Sequence, residues 1–416
     1  MALARIVIVG GGFGGVRAAL DLEKKLRGHI EITLIDRNQY HLFSPALYEV
    51  ASVYGLNDDH FNMRLRQTVA IPYDEIFRGR RIQFVQAEVR DINLSAKAVT
   101  TQGGHLFNYD FLVLAMGSQS ADLGIPGIRD YGFQFKTLDD AVHISERAFQ
   151  LFQEIAQGSR QRPLKICVVG AGFTGVELAA ELSRYGRKIA DKLHLRGKPF
   201  LVFLFEAGLK ILPSVSDKER DAIRTRLTKL GVIIMEHVPI GSVEGETLIL
   251  RNGQRFHSDM TVWSAGVQPN GFLRLIQGLE LTDAGKLKVG EGLFLRGHPE
   301  IFGIGDNVEF MDPVTQKPVP ALAYVAADQG RVVAKNIRRI VRGEKLFPYR
   351  PSSDVWVAPV GGKYAVARLW RGIMISGFWG WIVRELIDLR YLLQILSVRS
   401  ALALYFRQRL IFLKND

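Results

Sequence analysis

Cysteine is nearly absent from this sequence. One, Cys167, occurs among 416 residues, inside the apolar run Leu164-Lys165-Ile166-Cys167-Val168-Val169. A lone thiol builds no disulfide framework, no Cys-x-x-Cys metal site and no redox-active pair; in such a run it reads as a small buried hydrophobe. No cluster of His or Cys has metal-ligand spacing, so no metal is expected. Long apolar runs are missing too. None approaches the ~20 residues of a membrane-spanning helix, and the nearest, Gly372 to Val383, is glycine-rich and closes at Arg384. Met1 to Ala4 is too short for a charged n-region and an apolar h-region, so the catalytic part is expected to stay in the cytoplasm. Acidic residues are outnumbered, 42 against 54 basic, for a formal charge of +12. The pI is about 9.7. This balance favours an anionic partner, nucleic acid or an anionic membrane surface.

What is present is a large apolar fraction, 47 %, enough core for two or three domains. The chain opens on Ile6-Val7-Ile8-Val9, a β-branched run suited to a strand covered on both faces. It ends in Gly10-x-Gly12-x-x-Gly15. The first glycine permits a tight turn, the second lets a pyrophosphate approach the backbone, and the third lets the next helix pack close. That helix, Val16 to about Leu26, aims its N-terminal amides at the phosphates. A second apolar run, Ile30 to Ile35, ends in Asp36, a carboxylate able to accept from both ribose hydroxyls. Further strands are expected at Ile82–Val89, Ala98–Thr101 and Phe111–Ala115, the last ending at Met116-Gly117. Residues 57–80 read as polar and irregular, with a basic cluster at Arg78, Arg80 and Arg81.

The opening pattern then recurs. After a helix from about Leu138 to Gln157, the strand Leu164–Val169 leads into Gly170-Ala171-Gly172-Phe173-Thr174-Gly175, a helix over Val176–Leu182, and a strand Leu201–Phe205 ending in Glu206. An internal duplication of a nucleotide-binding unit follows, and two dinucleotide sites imply two dinucleotides. A flavin beside a nicotinamide has a chemistry, hydride transfer; two nicotinamides have none. Asp36 and Glu206 would repel a 2′-phosphate, and no basic residue immediately follows Glu206, so NADH is favoured over NADPH at the second site. The strand Glu300–Ile304 ends in Gly305-Asp306, where Asp306 could bind flavin ribityl hydroxyls.

Taken together, the two fingerprints, Tyr109–Ser118, Trp263-Ser264-Ala265-Gly266-Val267 and Ile304-Gly305-Asp306-Asn307 resemble the two-dinucleotide-binding-domain flavoproteins. Within that group, Tyr40–Ala51 and Gly172–Leu182 resemble the type II NADH:quinone oxidoreductases, over nearly the whole chain. The resemblance implies an α/β fold with two Rossmann-like domains of the glutathione-reductase-like FAD/NAD(P) type. FAD would occupy residues 1–120 and 290–345, NADH residues 121–289, and a C-terminal membrane-associating region residues 346–416. It implies a single-subunit, non-pumping NADH dehydrogenase that reduces FAD and then a membrane quinone. By resemblance, Gly10, Gly12, Gly15, Asp36, Gly117 and Asp306 hold FAD, and Gly170, Gly172, Gly175 and Glu206 hold NADH. Ala265 and Gly266 line the nicotinamide side, Glu177 matches the glutamate near the nicotinamide–flavin contact, and Lys363 could steady the reduced flavin. The family's quinone-side motif is usually Ala-Gln-x-Ala-x-Gln; here Ala323-Tyr324-Val325-Ala326-Ala327-Asp328 replaces both glutamines. Tyr324 could pack a quinone ring and Asp328 could move protons. The replacement also keeps open a reductase of a soluble acceptor such as a ferredoxin. A membrane-peripheral NADH-binding protein without turnover is a further alternative. Disulfide reductases and sulfide:quinone reductases of this fold need reactive cysteines, a role Cys167 cannot fill.

The tail differs in character. Ile382, Leu386, Leu389, Leu393 and Leu396 recur at helical spacing, with Arg384, Asp388 and Arg399 on the other side. Leu402, Phe406, Leu410 and Leu413 follow, interleaved with Arg407, Arg409 and Lys414. Basic residues with Trp, Phe and Leu compose an interfacial helix, expected to lie on anionic lipid at the cytoplasmic face of the cell membrane. The competing use is a hairpin packed on the body or a homodimer interface. Nucleic acid is a poor use of this charge, because the basic segment alternates with leucines at helical spacing.

Overall fold

β1, Ala4–Val9, pairs in parallel with β2, Ile30–Asp36, in a register that sets Val9 against Ile35. The helix α1, Phe13–Leu26, lies between them in the chain and starts directly on the glycine loop, three residues earlier than the apolar pattern indicates. The computed structural model describes residues 3–53, 65–161, 163–197, 199–351 and 355–412. Residues 57–64, Leu413 and Lys414, read in the sequence above, lie outside the described residues. The first sheet has six strands in the order Phe294–Leu295, His298–Gly303, Phe111–Leu114, β1, β2, Ile82–Gln86. All are parallel except the edge strand Phe294–Leu295. Ile6–Val9 and Phe111–Leu114 at its centre are apolar and buried, as expected of a parallel sheet covered on both sides.

A short helix α2, Leu47–Val50, follows the Ser44-Pro45 turn. Part of the segment read as irregular is ordered: Ala70–Pro72 pairs with Tyr40–Leu42, and Tyr73–Ile76 makes one helical turn with Tyr73 buried. The expected strand Ile82–Val89 is two strands, Ile82–Gln86 in the main sheet and Val89–Asn93 in a separate three-stranded one. The second sheet, all parallel, runs Phe133–Gln134, Met260–Trp263, Leu164–Val169, Phe200–Phe205, Val232–Met235. Its helix α3, Phe173–Lys192, extends well past Leu182, because Tyr185, Ile189 and Ala190 continue the buried stripe through a stretch that reads as basic. An antiparallel ribbon of Ser118–Ser120 and Val267–Pro269 carries the chain into the second unit and back.

After the helix α4, Ala323–Val341, a three-stranded antiparallel sheet spans Trp356 to Gly377, and two helices end the described chain, α5 (Phe378–Ile395) and α6 (Val398–Phe412). The sheet rests on the second unit: both guanidinium arms of Arg368 donate to Glu219 at 2.6 Å. The helices rest on the first, where Gln408 donates to the Thr68 carbonyl at 2.7 Å. The tail therefore straps the two units together. α5 is turned with its charged side inward. Arg384 and Asp388 are 5 % and 6 % exposed, whereas Leu386, Ile387 and Leu393 face outward. On this outer side lie Trp379, 70 % exposed, and, from α6, Leu402, Phe406 and Leu410. No helix among the described residues is long and apolar enough to cross a membrane.

Candidate active site

The two glycine loops share one backbone design. Gly10 and Gly170 have φ of +103° and +102°, a region open chiefly to glycine, and a Cβ there would meet Ala115 O at 2.3 Å or Ala265 Cα at 2.5 Å. A Cβ on Gly15 or Gly175 would sit 1.9 Å from the carbonyl oxygen of Gly10 or Gly170, so only glycine lets the helix start this close to its strand. At Gly12 and Gly172 a Cβ would meet nothing within 4 Å. The middle glycine of each loop thus borders open space at a helix N-terminus, the place for a pyrophosphate.

The acids close both loops in the same way. Asp36 accepts from the amides of Gly11 (2.6 Å) and Asn38 (2.8 Å). Glu206 accepts from those of Ala171 (3.0 Å) and Gly208 (2.7 Å). Burial raises the Asp36 carboxyl, and the two backbone donors pull against that rise. Gly117, at positive φ, donates its amide to Asn307 at 2.9 Å. Asp306 accepts from the Ser118 hydroxyl at 2.5 Å; Lys136 donates to that hydroxyl at 2.8 Å and lies 3.8 Å from the carboxylate. Ala265 lies against Gly170, and the Gly266 carbonyl accepts from Ala121.

Glu177 lies in the first turn and a half of α3. Burial pushes its carboxyl up to about 8, with Arg384 opposing and Asp388 reinforcing the shift. Ala323, Tyr324 and Asp328 lie on the first two turns of α4, which abuts the Asp306 site: the Gly305 amide donates to Gln329 at 2.6 Å. Asp328 is ion-paired with Arg331, whose guanidinium also donates to Gln394 of α5 at 2.8 Å. Lys363 is exposed, with Nζ 6.0 Å from the Trp381 ring centre. Its turn packs on Arg184 and Leu230, against the middle of α3 rather than the glycine loop. Cys167 is buried and its thiol is pushed up to about 12 by that burial, so it carries no thiolate chemistry. Away from the loops, Glu246, His257 and Asp259 lie close together, but Arg160 donates to both carboxylates at 2.9 and 2.6 Å.

Sequence reasoning missed the groups behind the first loop. The Gly11 carbonyl accepts from Tyr73 Oη (2.8 Å) and His41 Nδ1 (3.0 Å). A carbonyl only accepts, so His41 carries its proton on Nδ1 and takes the Tyr391 hydroxyl on Nε2, at 2.8 Å. Burial pulls the imidazole down to about 4 and keeps it neutral. Tyr391 belongs to α5, so the tail is hydrogen-bonded to the first fingerprint. No local signal marks this pair, 350 positions apart.

Residues 4–330 match the pyridine nucleotide-disulphide oxidoreductase family, and the chain belongs to it. More particularly, it is similar to a type II NADH:quinone oxidoreductase of Staphylococcus haemolyticus, 28 % identical over 403 residues that cover 95 % of this chain and 97 % of that one. A protein of the same name from Staphylococcus aureus is 29 % identical, over 94 % of this chain and 96 % of its own. In fold it is similar to NDH2 of Plasmodium falciparum, solved in complex with NADH, with a TM-score of 0.84 at 16 % identity, covering 100 % and 97 % of the two chains. The residues present fit a dinucleotide in each loop, since the open side of Gly12 and Gly172 leaves each N-terminus free to receive one.

Proposed function

We propose that this chain is a single-subunit, non-proton-pumping NADH dehydrogenase that carries FAD and reduces a membrane quinone by two electrons. The observation that carries the reading is the duplicated loop: two open pyrophosphate cradles, each closed by a carboxylate, in one chain with one inert cysteine. Bound FAD supplies a carrier that accepts a hydride equivalent from a nicotinamide and delivers two electrons onward. The chain's residues position it. Gly10, Gly12, Gly15, Asp36 and Gly117 hold the FAD diphosphate and adenosine ribose, and Asp306 the ribityl chain. Gly170, Gly172, Gly175 and Glu206 hold NADH, with Ala265 and Gly266 on the nicotinamide side and Glu177 at the contact between the two rings. On this reading residues 1–120 and 290–345 form the FAD unit, 121–289 the NADH unit and 346–416 the membrane-associating region. Ala323, Tyr324 and Asp328 border the quinone side.

The outward apolar face of α5 and α6 supports attachment to anionic lipid at the cytoplasmic face of the membrane, where a lipid-soluble quinone resides. Glu206 at the end of the second strand supports NADH over NADPH, because a 2′-phosphate would meet its charge. Steady-state turnover with each nucleotide, against ubiquinone and menaquinone analogues and against a ferredoxin, tests the assignment. NADH with a quinone is expected to give the highest kcat/KM; turnover only with the ferredoxin would replace quinone by a soluble acceptor.

A further inference from the structure

The glutamines that the quinone-side motif usually carries are absent, and Asp328 is tied to Arg331. Neither position therefore offers the amide donor that a glutamine would give a quinone carbonyl. Near Glu177 the structure holds two buried donors that have no partner among the described residues: Tyr48 Oη and Arg384 Nη2. Both residues are deeply buried, Tyr48 at 2 % exposure. A buried donor left without an acceptor is costly, so two such donors side by side indicate a group the protein itself does not supply. The guanidinium carbon of Arg384 lies over the Tyr48 ring, 5.5 Å from its centre. The other arms of Arg384 are engaged: Nη1 with Glu49 at 3.4 Å and Nε with Asp388 at 3.3 Å.

Charge decides the class of ligand. The cluster brings the carboxyls of Glu49, Glu177, Glu385 and Asp388 together with only two guanidiniums, Arg384 and Arg409. With Glu177 held protonated and Asp388 raised by burial, the ionised carboxylates and the two guanidiniums nearly balance, so a neutral oxygen acceptor fits without adding an uncompensated charge. Position decides it further. Tyr48 lies on α2, shortly after His41, which touches the first glycine loop; Glu177 lies just past Gly175 of the second. The donors thus sit in the seam between the two loops. On the opposite side of α5, about 10 Å away across a helix, Leu386 and Ile387 face outward.

Resting on the quinone reductase reading above, we propose that Tyr48 Oη and Arg384 Nη2 donate to one carbonyl oxygen of the quinone headgroup. Tyr48→Phe removes only a hydroxyl that has no partner among the described residues, so it is the cleaner variant. Arg384→Lys keeps the charge opposite Glu49 and Asp388 and removes Nη2. The probe is decylubiquinone with NADH-reduced holoenzyme. Tyr48→Phe is expected to raise KM for decylubiquinone about three- to tenfold, the effect of one hydrogen bond, with KM for NADH and flavin content unchanged and Tm of the quinone-free protein no lower than that of the wild type. Arg384→Lys is expected to raise the same KM at least as much. An unchanged quinone KM in Tyr48→Phe overturns the inference, with or without a change in Tm. If the wild type is bleached by NADH but reduces no quinone, the underlying reading fails instead, and the two failures are distinct.

Discussion

Glycine is required at the loops for two opposite reasons, and this separates folding from binding at single residues. At Gly15 a methyl group would collide with the Gly10 carbonyl at 1.9 Å, whereas at Gly12 it would enter empty space. Gly15→Ala is predicted to destabilise the protein by about 1–3 kcal/mol, the usual cost of overpacking. Gly12→Ala is predicted to leave thermal stability of the flavin-free protein unchanged while lowering bound flavin at least tenfold. Denaturant melts and the flavin-to-protein ratio check both. Glu177 gives a prediction in pH. Its carboxyl is raised from 4.5 to about 8 in the folded protein. Between those values the folded state binds more protons than the unfolded one, so stability falls as pH rises through this window. Asp388 is raised by burial too and acts in the same direction. Glu177→Gln should flatten the decline in Tm between about pH 5 and pH 8; an unaltered slope would contradict a protonated Glu177.

At the scale of elements, α5 reverses an ordinary expectation. Arg384 and Asp388 look like a solvated face in the sequence, yet they point into protein, and Leu386 and Leu393 of the expected apolar face point out, while Leu396 is buried. The inward charges are held by Glu49, Glu385 and Arg409, contributed in part by α2 and α6. Replacing Trp379 and Leu410, 70 % and 73 % exposed, with serine is predicted to weaken binding to anionic vesicles at least tenfold with Tm unchanged. Unchanged vesicle binding accompanied by a loss of self-association would assign the face to a homodimer. The apolar spacing of α5 was legible because helical periodicity is local. The direction of each face was not, because it depends on Glu49 and Arg409, which are distant in sequence. The same distinction separates the glycine loops, whose constraints lie within a few residues, from the His41–Tyr391 contact. The length of α3 was obscured by Arg184, Arg187, Lys188 and Lys192, which are interleaved in the sequence with the buried Tyr185 and Ile189.

At the scale of the molecule, two sheets, one mainly and one wholly parallel, each present a glycine loop at the carboxyl end of a central strand, and the tail fastens one unit to the other through Arg368–Glu219 and Gln408–Thr68. Such an arrangement lets a donor on one loop meet a carrier on the other while an apolar face lies outside. The central claim is that this seam passes electrons from NADH through a flavin to a quinone. Anaerobic titration of the purified protein tests it most directly. The account predicts a yellow protein bleached by one equivalent of NADH per flavin and restored to yellow by decylubiquinone without any protein acceptor. A colourless protein, or a yellow one that NADH leaves unchanged, would contradict it.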